Sequence, residues 1–260
     1  CITLSLLSML PSSAQEHSPA HIGIVYPLST NGIRAAEYEN NLSLHAIGGL
    51  SGGERGLALY GVAGIIKGNA RGVQAAGVLN NLEGELKGVQ SAGVINRARN
   101  ASQGLQFAGV LNLNQGEGVM QVAGVVNKAA NIKSLQSAGV VNKVGHLKGI
   151  QMAGVVNSAT QVKGLQVAGV VNVADEVKGS QVSGLINKAK KVTGVQVAGL
   201  LNIADSSDYP IGIINLIKDG EKRIGLGTDE NLSTLISFRS GGKKLYGILG
   251  MGSNIQYANL

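Results

Sequence analysis

The chain has 260 residues, with 39 Gly, one Cys, no Trp and a formal charge of +7. One cysteine excludes an internal disulfide framework and a Cys-rich zinc site, and glycine without a strict every-third-residue pattern excludes collagen. A hydrophobic content of 44% excludes a disordered polar chain, and no run reaches the ~18 apolar residues of a membrane helix, which leaves a β-rich or repetitive fold.

Residues 1–14 read as the remnant of a secretory signal. Ile2–Leu10 is mostly apolar, and the small residues Ser12 and Ala14 precede Gln15. A rival reading makes Cys1 the lipidated first residue of a mature lipoprotein; both readings imply export. Residues 15–56 do not repeat. Turn signals at Pro27, Asn31-Gly32 and Gly52-Gly53 frame expected strands at His21–Tyr26 and Leu42–Ile47, and the segment is expected to form an N-terminal β cap.

Internal repetition decides the fold over residues 57–217. The motif G-x-Q-x-A-G-V-x-N recurs nine times, with its Gln at 74, 90, 106, 121, 136, 151, 166, 181 and 196. A glycine lies three residues after each Gln and an Asn six after it, without exception. Tyr60–Lys67 and Ile211–Ile217 look like decayed copies, as capping of a stack requires. The units are Val- and Ile-rich and too short for helical hairpins, so strand is the natural reading. An up-and-down β-barrel would give alternate turns different surroundings, yet no 30-residue alternation shows. It would also carry aromatic girdles in a membrane, and no aromatic residue occurs from Ala108 through Asp208. A strict 15-residue period instead fits one parallel coil per repeat, with like residues ~4.8 Å apart. The expected fold is all-β: a parallel β-solenoid with 15-residue rungs, flanked by short antiparallel β segments, with the barrel as the alternative.

The narrow interior of such a coil calls for small residues alternating with Val and Leu. The fixed glycine is expected at a corner, where positive φ or close backbone approach excludes a Cβ. The extra residue of the early copies falls between Asn and the next Gln, where a loop can absorb it. The recurring amides are read as structural ladders, with Asn127, Asn142, Asn157, Asn172 and Asn187 in one row and Gln136, Gln151, Gln166 and Gln181 in another.

Residues 218–260 change texture. Leu232–Arg239 and Lys244–Leu249 flank Gly241-Gly242 and read as a β-hairpin. It is expected either to cap the solenoid's open edge or to begin a second β domain that a truncation removed.

The repeats GVQAAGVLN, GLQVAGVVN and GVQVAGLLN resemble those of a bacterial surface-repeat family found in Bacteroidota and spirochaetes. The segments IVYPLSTNG and NLSTLISFRSGGKKLYGIL resemble flanking segments of its Bacteroidota members, so the likeness spans roughly residues 22–250. The resemblance implies export and a cell-surface or outer-membrane location. It carries over no catalytic residue.

Chemical signatures are sparse. Gly49-Leu50-Ser51-Gly52-Gly53 matches the nucleophile-elbow pattern, which needs a strand-to-helix turn, an acid and a later His. His17, His21, His45 and His146 have no metal-ligand spacing. No catalytic, cofactor or metal site is expected. Charge says more: residues 72–203 hold 12 Lys/Arg and 5 Asp/Glu, which accounts for the whole net charge. Lys133, Lys148, Lys163 and Lys178 recur at one place in four consecutive copies; Arg97, Lys128, Lys143 and Lys188 share another. Such rows are either a solubilising face or a polyanion-binding stripe. The expectation is a non-enzymatic surface scaffold or adhesin with an acidic glycan or lipopolysaccharide as partner, and an outer-membrane barrel with a transport role as the alternative. Nucleic acid is not expected, because no aromatics interleave the lysines for base stacking.

Overall fold

The computed structural model describes residues 16–228, 230, 233–242 and 244–254, so the signal-remnant reading of residues 1–14 lies outside the described residues. The chain winds into a parallel β-solenoid of about 12 turns, followed by a three-stranded antiparallel sheet. Val141–Ala153 pairs in parallel with Val156–Ala168, which pairs in parallel with Val171–Ser183. The register sets Asn142 beside Asn157 beside Asn172, and Gln151 beside Gln166 beside Gln181. Each residue thus stands against its equivalent fifteen positions on. The parallel register excludes the up-and-down barrel for the repeats, since neighbouring barrel strands run antiparallel.

One coil shows the plan. From Val156 to Val170 the inward residues are Asn157, Ala159, Val162, Gln166 and Ala168. A flat strand would alternate strictly between in and out. Here alternation breaks at Thr160-Gln161, at Lys163–Leu165 and at Gly169–Val171, and these are the three turns of the coil. The apolar interior is a column of alternating small and larger residues, Ala129, Ile132, Val144, Leu147, Ala159 and Val162 among them.

This interior corrects one expectation. The aliphatics that flank Gln and follow the fixed glycine face outward: Ile150, Met152 and Val155 are 41%, 42% and 38% exposed. The coil has only five inward places; Asn and Gln take two and Ala a third, so the Val-rich strands cannot all turn inward.

The glycines divide the two roles expected of one. The fixed glycine makes the close approach: a Cβ on Gly154 would run into the Gly139 carbonyl oxygen of the preceding coil. Positive φ belongs to the other glycine, two residues before Gln, with φ +121 at Gly149 and +138 at Gly164. The extra residue of the early copies is absorbed as expected: Ala98 pairs with Asn114, sixteen residues on, and Leu105 with Met120, fifteen on, with the register shift between them.

The non-repeating N-terminal segment joins the same sheet. Glu16–Val25 pairs in parallel with Tyr38–Ser51, which pairs in parallel with Gly53–Tyr60 and Ala63–Ile66. At the other end, Glu221–Thr228, Ser233–Gly241 and Tyr246–Asn254 form the antiparallel sheet. The end of its middle strand meets the last coil, where the Asn215 backbone N–H donates to Ser240 Oγ at 3.2 Å and Ser240 is buried.

Candidate functional site

The ladder residues come together inside the coil, fully buried. Asn142 Nδ2 donates to Asn157 Oδ1 and Asn157 Nδ2 to Asn172 Oδ1, each at 3.0 Å. The same link runs from Asn80 through Asn112, Asn127, Asn187 and Asn202 to Asn215. Asn157 Nδ2 also donates to the Val167 carbonyl at 2.6 Å, which holds the amide's orientation. Gln151, Gln166 and Gln181 form the second row, with Gln166 Nε2 donating to Gln151 Oε1 at 2.7 Å and Gln181 Nε2 to Gln166 Oε1 at 2.8 Å. Gln136 continues it, receiving the bond from Gln151 at 2.8 Å. The rows point oppositely: Asn donates toward the C-terminal end, Gln toward the N-terminal end. Where the rows stop, Gln74 Nε2 and Asn80 Oδ1 are left buried without a partner at the N-terminal end and Gln196 Oε1 at the other, where Asn215 Nδ2 finds the Gly212 carbonyl. Side chains so enclosed hold the coils to one another and cannot meet a ligand from solvent.

Upstream the amide columns change character. The Gln column continues as Ala58, Ser43 and His21, and the Asn column as Gly64 and Gly49. The Ala column becomes Tyr60 and His45. Their rings fill the space the missing Asn side chains would take, since a Cβ on Gly64 or Gly49 would strike Tyr60 or His45. His45 and Tyr60 stack at 5.5 Å, and His21 meets His45 edge-on at 4.3 Å. Beside them Glu54 is buried, its Oε1 accepting from Ser43 Oγ at 2.6 Å, Asn40 Nδ2 at 3.2 Å and Tyr60 OH at 3.4 Å. Burial raises the Glu54 pKa. Burial, then the charge of His45, lowers His21 to about 4, and burial lowers His45.

The sign of the linkage follows. A depressed histidine pKa contributes stability above the ordinary value of 6.5 and loses it as pH falls through the folded value. Glu54 acts in the opposite sense, its cost appearing as pH rises through its raised pKa. Between pH 6.5 and 4 the His21 contribution alone is at most about 3 kcal/mol. With two histidines, His21 and His45, losing stability on acidification against the one opposing group, Glu54, acidification is expected to open residues 16–66 before the repeats. Amide hydrogen exchange at pH 7 and pH 4 checks this, and equal loss of protection in both regions would refute it.

Ser51 of the nucleophile-elbow pattern is buried at the end of one strand and followed by another, Gly53–Tyr60, without the required helix. Among the described residues, no group of three or more His, Cys, Asp or Glu could hold a metal ion.

The lysines lie outside the coil, at the start of the turn that Lys163–Leu165 makes in one coil. Lys148 stands beside Lys163 and Lys163 beside Lys178, all exposed. Lys133 falls one coil earlier but its Nζ is held by Glu117 at 2.6 Å. Among the described residues Lys148, Lys163 and Lys178 have no such ion pair. Glu117 pairs with Asn131, fourteen residues on, in the shifted register of that coil, which brings it to Lys133; the fifteen-residue spacing alone does not show the pair. Between lysine column and neighbouring turn runs an open groove of about 290 Å³, lined by Lys148, Lys163, Asn131, His146 and Gln161 over a floor of Ile132 and Leu147, with the Lys133–Glu117 pair closing one end. His146 Nδ1 and Gln161 Oε1 lie 3.0 Å apart along its wall. The groove thus offers cations in a line and amide or imidazole groups beside them.

Comparison with protein-family models, curated proteins and solved structures finds no match to this chain.

Proposed function

We propose that this chain is an exported, non-enzymatic surface scaffold or adhesin that engages an acidic glycan or lipopolysaccharide through its lysine column. The observation that carries the reading is the line of Lys148, Lys163 and Lys178 on adjacent coils, unpaired among the described residues, beside a groove with polar walls. Like charges held about 4.8 Å apart along the axis meet a repeating anion several at a time, so weak contacts add. The polar wall residues suit sugar hydroxyls. The resemblance of the repeats to bacterial surface proteins supports the location.

The test is binding of polygalacturonate, and separately of purified lipopolysaccharide, to wild type and to a Lys148→Gln/Lys163→Gln/Lys178→Gln variant. Exposed ion pairs contribute roughly 0.2–1 kcal/mol each, so three lost pairs are expected to weaken binding roughly tenfold at low salt. The difference is expected to shrink as salt shortens the screening length. Equal binding by both proteins, or none by wild type at low salt, would leave the column a solubility device.

A further inference from the structure

The outward aliphatics form a continuous surface. From Val62 to Leu200, ten successive coils place Val or Leu directly after the corner glycine. These residues stack by backbone hydrogen bonds, as from the Val155 N–H to the Val140 carbonyl at 3.2 Å. Val110, Val140, Val155, Leu185 and Leu200 are between 38% and 47% exposed. The column is about 43 Å long at 4.8 Å per coil. Three further outward columns run beside it: that of Val141 and Val156 is aliphatic throughout, that of Ile150 and Leu165 is interrupted by Ser180, and that of Met152 and Val167 by Ser91 and Ser137. A contiguous apolar surface of that length is beyond the scattered exposure of ordinary proteins and marks an interaction site. Strand propensity does not explain it. Thr has Val's shape and similar propensity, and the repeats use it at 160 and 193 but nowhere in these columns.

The charges around the coil say what covers the surface. Lys148, Lys163 and Lys178 border it on one side; Lys128, Lys143 and Lys188 border it on the other. All five acids of residues 72–203, namely Glu83, Glu85, Glu117, Asp175 and Glu176, fall in the turn between the two basic columns, away from the apolar side. Two copies meeting face to face would bring basic rims together. An anionic lipid surface reverses that sign: aliphatics enter the acyl boundary while lysine stems reach back to the headgroups. We propose that the Val/Leu corner of the solenoid, bracketed by its two lysine columns, lies lengthwise against an anionic lipid surface. This goes beyond polyanion binding by the lysine column, because it assigns the aliphatic face.

The test uses vesicles of phosphatidylcholine with phosphatidylglycerol against vesicles of phosphatidylcholine alone. Wild type is expected to co-sediment with the anionic vesicles. A Val125→Thr/Val140→Thr/Val155→Thr/Val170→Thr variant is expected to partition at least about tenfold less, while binding soluble polygalacturonate as wild type does. That last arm separates failure of this proposal from failure of the glycan reading. As the chain has no Trp, Val155→Trp supplies a second, milder reporter. Its emission is expected to shift blue with anionic vesicles, whereas that of Gln161→Trp, in the acidic turn, is not. Equal partitioning of the Thr variant, equal shifts at both reporters, or a wild-type dimer that the Thr variant loses without any vesicle binding would overturn the proposal; the dimer would make the face a contact between copies.

Discussion

Gly154→Ala is expected to lower the stability of the repeat array by about 3 kcal/mol or more, at the upper end of overpacking costs. The added methyl would meet the Gly139 carbonyl oxygen, and Gly169 stacks on Gly154 in the same way from the next coil. No side chain can rotate aside, because the obstacle is backbone. Relief needs the coils to part, which strains the bonds from the Gly154 N–H to the Ala138 carbonyl and from the Val155 N–H to the Val140 carbonyl, both 3.2 Å. Gly227→Ala is the control: a Cβ there meets nothing within 4 Å. Thermal unfolding followed by circular dichroism checks the pair, and comparable midpoints would refute the corner argument.

Asn157→Ala is expected to cost about 2–4 kcal/mol, combining unpaired buried groups with a small cavity. Its Oδ1 accepts from Asn142, and its Nδ2 donates to Asn172 Oδ1 and to the Val167 and Gln151 carbonyls. Removing it strands an acceptor on one side and weakens a donor on the other, where water does not reach. Ser158→Ala, one residue on and facing outward, is expected to stay within about 0.5 kcal/mol of wild type. Denaturant titration of both variants measures the difference; equal midpoints would mean that the Asn row does not hold the coils together.

The period was enough to read the parallel coil, because only a coil places every copy in the same surroundings. The amide rows could be read for the same reason: a buried polar group tolerated nine times must find its partner in the next copy. The facing of Val could not be read. Val155 and Val162 are alike in type, yet one is exposed and the other lies in the interior; what separates them is the position of the turns, which composition does not mark. The His45–Tyr60 cluster left a signal that identity matching overlooks. These residues are fifteen apart and sit where the later copies have Ala, so the frame continues upstream while its chemistry changes. The groove beside Lys148 depends on which lysine an acid neutralises, and that is fixed by the shifted register around Ile132.

The opposed directions of the Asn and Gln rows bear on how such an array can change over generations. A single row of aligned amides would leave a donor at one end and an acceptor at the other, a separated pair of partial charges. Two opposed rows leave one of each at the same end, as Gln74 Nε2 and Asn80 Oδ1 show, and their fields largely cancel. A fifteen-residue unit duplicated or deleted by unequal recombination therefore alters neither the register nor the polarity of what remains. The number of coils becomes a heritable length, free to change without disturbing the coils that remain.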